Sequence, residues 1–245
     1  MSDATTAAPA GYRLGDPIEL KDLLALPPDG RRYTRDAKGR LALMAPDRAD
    51  THRHPLGLLT RLLGRGLELS WRVYQEPPIG FDPIYDQAGN VLPPSRLGHK
   101  RIVPDLAVWD GTPGLRRDSP GAAPSFSPAR LRLVVEVLSA GTHESDLGTA
   151  EEEQVDRWRT YLVNQVPEYW IVNASSEACG LPPRSGLFLR GDSGLWRPLV
   201  GEGLELASVE VNGLAPVTHG RVESSSLPGL TLDLEAFWAQ VDEIG

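Results

Sequence analysis

Two apolar runs that each contain one carboxylate constrain the fold of this chain more than any other feature. The first is Pro104–Trp109, and the second, later in the chain, is Leu133–Ser139. Their aliphatic and β-branched composition is typical of buried strands, where a charge is costly unless something pairs with it. The charged residues are Asp105 in the first run and Glu136 in the second. A shared divalent cation is one partner that would satisfy both.

Strand geometry predicts where these carboxylates point. Alternation along a strand puts Asp105 on the same face as Ala107, and Glu136 on the same face as Val134. If the two strands are neighbours, the carboxylates meet at one point of the sheet. Oxygen ligands suit a hard cation such as Mg²⁺, and water bound to it can attack a phosphodiester. A simpler interpretation stays open, in which the Pro-Asp pair starts a strand by capping a turn and Glu136 faces a solvated edge.

Length and composition set the broad class of the chain. With 245 residues, 40% of them hydrophobic, it can bury the core of one elaborated α/β domain. We predict a flexible tail over residues 1–17 and a single domain over 18–241. The single cysteine, Cys179, excludes an intramolecular disulfide and a cysteine-rich zinc site.

Charge and hydropathy limit the cellular locations and the partners that we expect for this protein. Residues 1–10 lack the basic and apolar regions of a signal peptide, and no apolar run approaches the roughly 20 residues that span a bilayer. We therefore expect a cytoplasmic protein with no membrane contact. The net charge of -8 counts against broad attraction to nucleic acid but leaves room for a local basic cleft. No Walker A or dinucleotide-binding glycine motif follows a predicted strand.

Hydrophobic periodicity and turn residues place the other elements. We predict a mobile insertion near 111–130 and a second loop insertion near 86–100, because both segments are rich in residues that interrupt strands. A helix over Ala150–Asn164 would bury a stripe of Val155, Trp158 and Leu162. The remaining predictions are helices over Ile18–Leu26 and His54–Leu67, a hairpin pairing Arg32–Thr34 with Leu41–Met44, strands over Leu69–Gln75 and Glu168–Asn173, a hairpin about 192–194, and a terminal element near Leu234–Val241.

An ordered set of short motifs resembles the Uma2 family, whose members are compact relatives of the PD-(D/E)XK restriction endonucleases. The resemblance covers about residues 18–241. The motifs are Leu26-Pro27, Gly39–Leu41, His54, Val103–Val108, Val135–Ser139, Asp146, Pro167–Val172 and Ser226–Leu232. It implies an α/β (α+β), restriction-endonuclease-like fold, in which helices flank a central mixed β-sheet. A metal cleft would lie where the two carboxylate strands diverge.

The resemblance also implies roles for individual residues. Asp105, Glu136 and the backbone carbonyl of Val137 would hold Mg²⁺ or Mn²⁺. The family lysine comes from the following helix, four residues before a tyrosine, and that tyrosine matches Tyr161. The position four residues earlier holds Arg157, which stays protonated, so it can stabilise charge on a phosphate but cannot act as a base.

Two auxiliary positions carry open alternatives. The connection from Asp146 to Arg157 is longer than in the family and contains Glu153, in an acidic run. Either this run is the solvated N-terminus of an extended helix, or Glu153 neutralises Arg157 or adds a metal ligand. His52 and His54 stand at the start of the first long helix, where a histidine caps locally or takes part in chemistry, and family position favours His54.

These features predict a divalent-metal-dependent DNA endonuclease in which Asp105, Glu136 and Arg157 are the catalytic residues. A homodimer is expected by analogy with nucleases that pair to cut two strands. The alternative is a catalytically degenerate nuclease fold that acts as a binding or regulatory module. The arginine at the lysine position, the acidic insertion and the net charge of -8 favour that alternative.

Overall fold

The computed structural model describes residues 16–17, 33–35, 41–43, 49–67, 70–92, 101–117, 124–138, 143–148, 155–174 and 181–244. The chain divides into two compact units, Met1–Asp50 and Thr51–Gly245. In the first unit, strands β1 (Tyr33–Arg35) and β2 (Leu41–Leu43) pair antiparallel, as predicted for the early hairpin. Nearly all of the predicted tail and all of the predicted helix over 18–26 lie outside the described residues. The prediction of one domain over 18–241 stays a prediction.

The rest of the described chain contains four helices and twelve further strands, joined by turns and loops. The helices are α1 (Ala49–Gly66), α2 (His143–Leu147), α3 (Arg157–Val163) and α4 (Leu234–Ile244). The strands are β3 (Trp71–Gln75), β4 (Leu106–Asp110), β5 (Leu115–Arg116), β6 (Ser125–Phe126), β7 (Leu131–Val137), β8 (Glu168–Asn173), β9 (Ser185–Asp192), β10 (Leu195–Pro198), β11 (Glu205–Leu206), β12 (Val217–His219), β13 (Arg221–Glu223) and β14 (Thr231–Asp233).

Eight strands form one mixed sheet in the order β11-β12-β9-β8-β7-β4-β3, with β10 also paired to β9. Strands β7 and β8 are parallel, and the other neighbours in this sheet are antiparallel. Parallel neighbours need a crossover connection, and α2 and α3 lie in the connection between β7 and β8. The predicted α/β class with a central mixed sheet is therefore confirmed.

Both faces of the sheet are covered by apolar side chains. On one face, Leu59 and Leu63 of α1 and Phe237 of α4 join the core cluster that contains Val135 and Trp170. The opposite face carries a second cluster, formed by Ala107, Trp109, Val134, Tyr161 and Phe81. Strands buried on both faces have continuous apolar sequences, which explains why β7 and β8 were recognisable as strands.

The predicted helix over Ala150–Asn164 is wrong at its start. Helix α3 begins at Arg157, because the Asp156 side chain accepts a hydrogen bond from the Arg159 N–H at 2.8 Å and caps the first turn. Val155 forms an isolated β-bridge with Asp86 and so lies outside the helix. Residues 151–154, which include Glu153, lie outside the described residues.

Both predicted insertions contain paired backbone. Within 111–130, β5 and β6 form a short antiparallel ladder. Near residue 86, the Asn90 N–H donates to the Asp86 carboxylate at 2.7 Å, and Tyr85 bridges Val91. Residues 93–100 and 118–123 lie outside the described part of the chain.

One of the buried carboxylates, Glu168 at the start of β8, ties the closing segment to the sheet. Its side chain accepts hydrogen bonds from the Ser225 hydroxyl at 2.8 Å and the Ser226 N–H at 2.6 Å. The Ser224 hydroxyl lies 2.9 Å from its other oxygen. A buried charge is tolerated when hydrogen bonds satisfy it, so this glutamate has a structural environment of its own, separate from that of Glu136.

Candidate functional site

The two predicted carboxylates lie side by side where β4 begins and β7 ends. The antiparallel register pairs Leu106 with Val135, and one further step brings Asp105 opposite Glu136. The Asp105 N–H donates to Glu136 Oε2 at 3.2 Å, and Asp105 Oδ2 accepts the Val137 N–H at 2.6 Å. The Asp105 side chain therefore continues the ladder where the backbone pairing stops. The neighbouring strands and the shared face that the sequence predicted are both present.

A histidine of α1 completes the Asp105 environment. His52 Nε2 lies 3.3 Å from Asp105 Oδ2, with 29% of the histidine side chain and 19% of the aspartate side chain exposed. This hydrogen bond raises the pKa of His52 above its usual value, against the opposing effect of burial. Family position favoured His54, which is offset from His52 by about 200° around the helix. The residue that contacts the carboxylate is therefore His52.

Arg157 occupies the centre of the site. Its Nη1 lies 2.7 Å from Glu136 Oε1 and 3.0 Å from Asp146 Oδ1, and each carboxylate side chain is only 1% exposed. Arg157 is the first residue of α3, and Asp146 belongs to α2, so the ion pairs join the two crossover helices to β7. The arginine thus acts as the counter-ion of two buried acids.

Two buried tyrosines lie beside the ion pairs of Arg157. The Tyr161 hydroxyl donates to Glu136 Oε1 at 2.8 Å, and the Tyr169 hydroxyl donates to the Asp146 backbone carbonyl at 2.9 Å. Tyr161 stands four residues after Arg157, a spacing that places both side chains on one face of α3. Burial raises the pKa of both tyrosines well above the usual value, so both hydroxyls stay protonated as donors.

Burial dominates the electrostatics of Glu136. Desolvation raises the pKa of Glu136 well above its usual value, while the Arg157 guanidinium acts in the opposite direction. For Arg157, burial acts to lower the pKa, but the Glu136 carboxylate raises it above the ordinary value. Arg157 is therefore permanently charged, and together with the hydrogen bond from Tyr161 it favours the ionised form of Glu136.

The structure brings most of the predicted site residues together. Asp105, Glu136, Val137, Arg157 and Tyr161 converge, whereas Glu153 lies outside the described residues. Sequence reasoning assigned no role to Asp146 or Tyr169, and it named His52 as a candidate but favoured His54. Asp146 belongs to the family motifs, and that membership could have identified it as a site residue. The face of α1 that meets Asp105 depends on packing that periodicity does not specify.

The oxygen donors at this site come from few residues. Among the residues that the structure describes, no group of three or more histidine, cysteine, aspartate or glutamate side chains is placed to hold a metal ion. Mg²⁺ commonly uses only one or two carboxylates and keeps several waters. Asp105 and Glu136 supply such a pair, and the hard oxygen chemistry fits Mg²⁺ or Mn²⁺.

The fold and the site define a class: a mixed-sheet α/β protein with acidic side chains clustered at the ends of two central strands. A family model named Uma2, described as "Putative restriction endonuclease", matches residues 20–208, well over half of the 245-residue chain. The chain belongs to the Uma2 family. Membership confirms the resemblance found in the motifs and agrees with a restriction-endonuclease-like fold.

A crystal structure from Anabaena variabilis, described as a "putative nuclease belonging to DUF820", is similar at 13% sequence identity and a TM-score of 0.43, covering 92% of this chain and 99% of that one. A search of curated proteins found no match. None of the helices in the described ranges is both long and apolar enough to cross a membrane.

Proposed function

We propose that this protein is a DNA endonuclease that hydrolyses phosphodiester bonds with Mg²⁺ or Mn²⁺. The observation that carries the proposal is the juxtaposition of Asp105 and Glu136, in which the Asp105 backbone N–H donates to Glu136 Oε2 at 3.2 Å. Membership in a family described as "Putative restriction endonuclease" supports the substrate class. A bound Mg²⁺ would acidify a coordinated water and offset charge on the scissile phosphate.

Asp105, Glu136 and the Val137 carbonyl are the groups that would hold the cation. Asp105 Oδ2 accepts both the Val137 N–H and the contact from His52, which leaves Oδ1 as the oxygen for a ligand. The Val137 N–H faces β4, and both backbone polar groups of a strand residue face the same edge. Its carbonyl is therefore directed towards Asp105, as a ligand there requires.

Arg157 would act on the phosphate rather than on the water. Its guanidinium is fixed by two acids, 2.7 Å from Glu136 and 3.0 Å from Asp146. A cation held in advance stabilises negative charge that develops in the transition state without reorganisation. Because arginine stays protonated, the proton of the attacking water must leave through another group or to solvent.

The test is nicking of supercoiled plasmid DNA by the wild type, by Glu136→Gln and by Asp110→Asn. Asp110 is a matched control because it lies at the far end of β4, paired with Arg130 and Arg132. We expect Glu136→Gln to lose more than the roughly 10–100-fold that loss of an outer partner of a metal site costs. The Asp110 variant should retain activity. Equal activity of Glu136→Gln and the wild type would refute the proposal.

A second candidate function is a binding or regulatory module built on an inactive nuclease fold. The observation in its favour is that Arg157 already neutralises Glu136 and Asp146 at hydrogen-bond distance. An internal cation competes with an added one for the same carboxylates. Calorimetry with Mg²⁺ and Mn²⁺ separates the two functions, because a catalytic site must bind metal and a module need not.

The variant Arg157→Lys also distinguishes a nuclease from a binding module. Lysine carries a compact ammonium on a shorter side chain, so it should hold Glu136 less closely than Arg157 Nη1 does at 2.7 Å and leave that carboxylate freer for metal binding. A gain in nicking activity would support a nuclease that is restrained by Arg157. No metal binding and no gain in activity would favour the module.

We also propose that the active form is a homodimer, since cutting both strands of a duplex calls for two sites. Sedimentation velocity with and without duplex DNA tests this, and a monomer under both conditions would contradict it.

A further inference from the structure

The outer face of α1 is basic, although the chain as a whole has a net charge of -8. At 3.6 residues per turn, Arg53, Arg61 and Arg65 fall within a sector of about 120° around the helix. All three arginines are exposed. The sequence has no aspartate or glutamate between positions 51 and 67. The sector therefore presents a row of positive charges with no acid of the same helix beside it.

Interactions within the described chain do not explain these arginines as a group. The helix dipole favours a cation in the last turn, where Arg65 lies, but disfavours one near the first turn, where Arg53 lies. Arg61 and Arg65 have no ion-pair partner among the residues that the structure describes. Long arginine side chains on one exposed face are suited to an anionic partner from outside the chain.

Two glycines on the same face agree with a partner that approaches the helix closely. Gly57 and Gly64 fall in the sector of the arginines, at about 40° and 20° from Arg53. A glycine inside a helix is less favourable than alanine. A Cβ at either position would meet no atom within 4 Å, so packing within the chain does not require glycine there. Their absence of side chains leaves room for a bulky anion between the guanidinium groups.

The position of α1 relates this face to the carboxylate site. His52 Nε2 lies 3.3 Å from Asp105 Oδ2, so the first turns of the helix adjoin the proposed metal ligands. At 1.5 Å per residue, Arg65 lies about 20 Å along the helix axis from His52. One strand of duplex DNA has about six phosphates in that length, at about 3.4 Å each. The arginines point away from the sheet, so the DNA that they meet is flanking duplex rather than the scissile phosphate.

We propose that the outer face of α1 binds the phosphate backbone of the duplex beside the cleavage site, an inference that rests on the proposed nuclease function. Arg61 and Arg65 would each neutralise a phosphate and release its counter-ions. A guanidinium can make two parallel hydrogen bonds to one phosphate, which favours arginine over a point charge. Contacts to phosphates carry no base information, so this surface adds affinity without sequence preference.

An acidic lipid surface is the other polyanion that could attract arginines, and the composition of α1 argues against it. A helix that binds a membrane interface inserts an apolar face into the lipid. The apolar face of α1 is already buried in the core, as Leu56, Leu59 and Leu63 show. The exposed sector has no large apolar side chain to insert. Charge complementarity without an apolar contribution favours DNA.

The test is fluorescence anisotropy of a labelled duplex with the full chain in EDTA, which removes divalent metal and so prevents metal-dependent cleavage. Binding is measured over about 50–200 mM salt. The double variant Arg61→Gln/Arg65→Gln should reduce the slope of log K against log salt by about 1.8, which is about 0.9 for each phosphate contact. That change corresponds to about 60-fold weaker binding at 0.1 M salt. The loss should be equal for duplexes of unrelated sequence.

Two matched comparisons test whether the position of the charge matters. Arg190→Gln/Arg197→Gln removes the same charge from exposed, cross-strand neighbours on β9 and β10, and should bind like the wild type. Gly64→Glu and Gly64→Gln both place a better helix former in open space, so both should fold. Only Gly64→Glu puts a negative charge beside Arg61 and Arg65. It should bind the duplex about eight-fold more weakly at 0.1 M salt, the effect of losing one neutralised phosphate.

The outcomes separate this inference from the proposed nuclease function. A wild-type salt slope in Arg61→Gln/Arg65→Gln would overturn the inference while plasmid nicking by the wild type still supported the nuclease. An equal loss in the β9–β10 control, or no duplex binding by the wild type, would also overturn it. So would weaker binding of the variant to phosphatidylglycerol vesicles with duplex binding unchanged. Nicking that is unaffected by Glu136→Gln, together with duplex binding that depends on Arg61 and Arg65, would refute the nuclease proposal and support binding at α1.

Discussion

Replacing Arg157 by methionine tests whether the buried acids depend on an internal cation. Arg157 Nη1 lies 2.7 Å from Glu136 and 3.0 Å from Asp146, and each acid is only 1% exposed. Removing one partner of a buried ion pair costs about 3–5 kcal/mol, because the remaining charge stays buried and unpaired. Arg157 itself is only 19% exposed, so solvent screens little of this effect. We expect the free energy of unfolding at pH 8 to fall by about 3–5 kcal/mol.

The same variant should have a distinctive pH dependence in buffer with EDTA. Burial already raises the pKa of Glu136, and losing Arg157 removes the charge that opposes this rise. A carboxyl whose pKa is higher in the folded state binds more protons there, so stability falls as pH rises between the unfolded and folded pKa values. Near the unfolded pKa of about 4.3, the penalty for burying the charge disappears. The stability deficit of Arg157→Met should therefore be largest at pH 8 and shrink towards pH 5.

Urea denaturation followed by tryptophan fluorescence at both pH values measures these differences. Arg184→Met is the control, since Arg184 is 58% exposed and its Nη2 lies 2.7 Å from Asp242, whose side chain is 50% exposed. An exposed pair of this kind contributes at most about 1 kcal/mol. Equal losses in the two variants, or a deficit for Arg157→Met that is as large at pH 5 as at pH 8, would refute the reasoning.

Three further outcomes can be checked by urea denaturation. Tyr161→Phe removes the hydroxyl that donates to Glu136 at 2.8 Å, and should cost about 1.5–3 kcal/mol as for other bonds to charged groups. Glu168→Ala leaves its serine donors unpaired and should lower the free energy of unfolding by about 3 kcal/mol. Glu168→Gln keeps one acceptor oxygen and should cost less. Equal losses in the two variants would contradict this. Asp233→Ala removes the acceptor of the Ala236 N–H at the start of α4, and should cost about 1 kcal/mol at pH 7. That hydrogen bond lowers the pKa of Asp233, so its contribution is present above the usual aspartate pKa and is lost as pH falls through the lowered value.

Local patterns predicted the elements that carry the proposed ligands. The β-branched runs around Glu136 and Tyr169 are buried on both faces, and such strands have continuous apolar sequences. Alternation placed Asp105 on the face of Ala107 and Glu136 on the face of Val134, so the two carboxylates could meet only if the strands were neighbours, which they are. The apolar pattern of each strand and the direction of each side chain depend on residues only a few positions away. Short stretches of sequence were therefore enough to predict them.

Other features depended on contacts between distant segments. The start of α3 is set partly by the bridge from Val155 to Asp86, and no local pattern around residue 150 records that pairing. Whether His52 or His54 meets Asp105 depends on how α1 packs on the sheet. The pairing of Asp146 with Arg157 joins two helices through their side chains, so it has no helical spacing that could have revealed it.

That last ion pair would let the crossover between β7 and β8 change in length without moving the site. The segment from Gly148 to Asp156 lies between two residues that hold each other at 3.0 Å. Its ends are therefore anchored however many residues separate them, and doubling the length of a flexible loop costs only about 0.6 kcal/mol. Insertions and deletions can accumulate there while the guanidinium stays where it is. Relatives of this protein are thus better recognised by the geometry of the cation and its acids than by the number of residues between motifs.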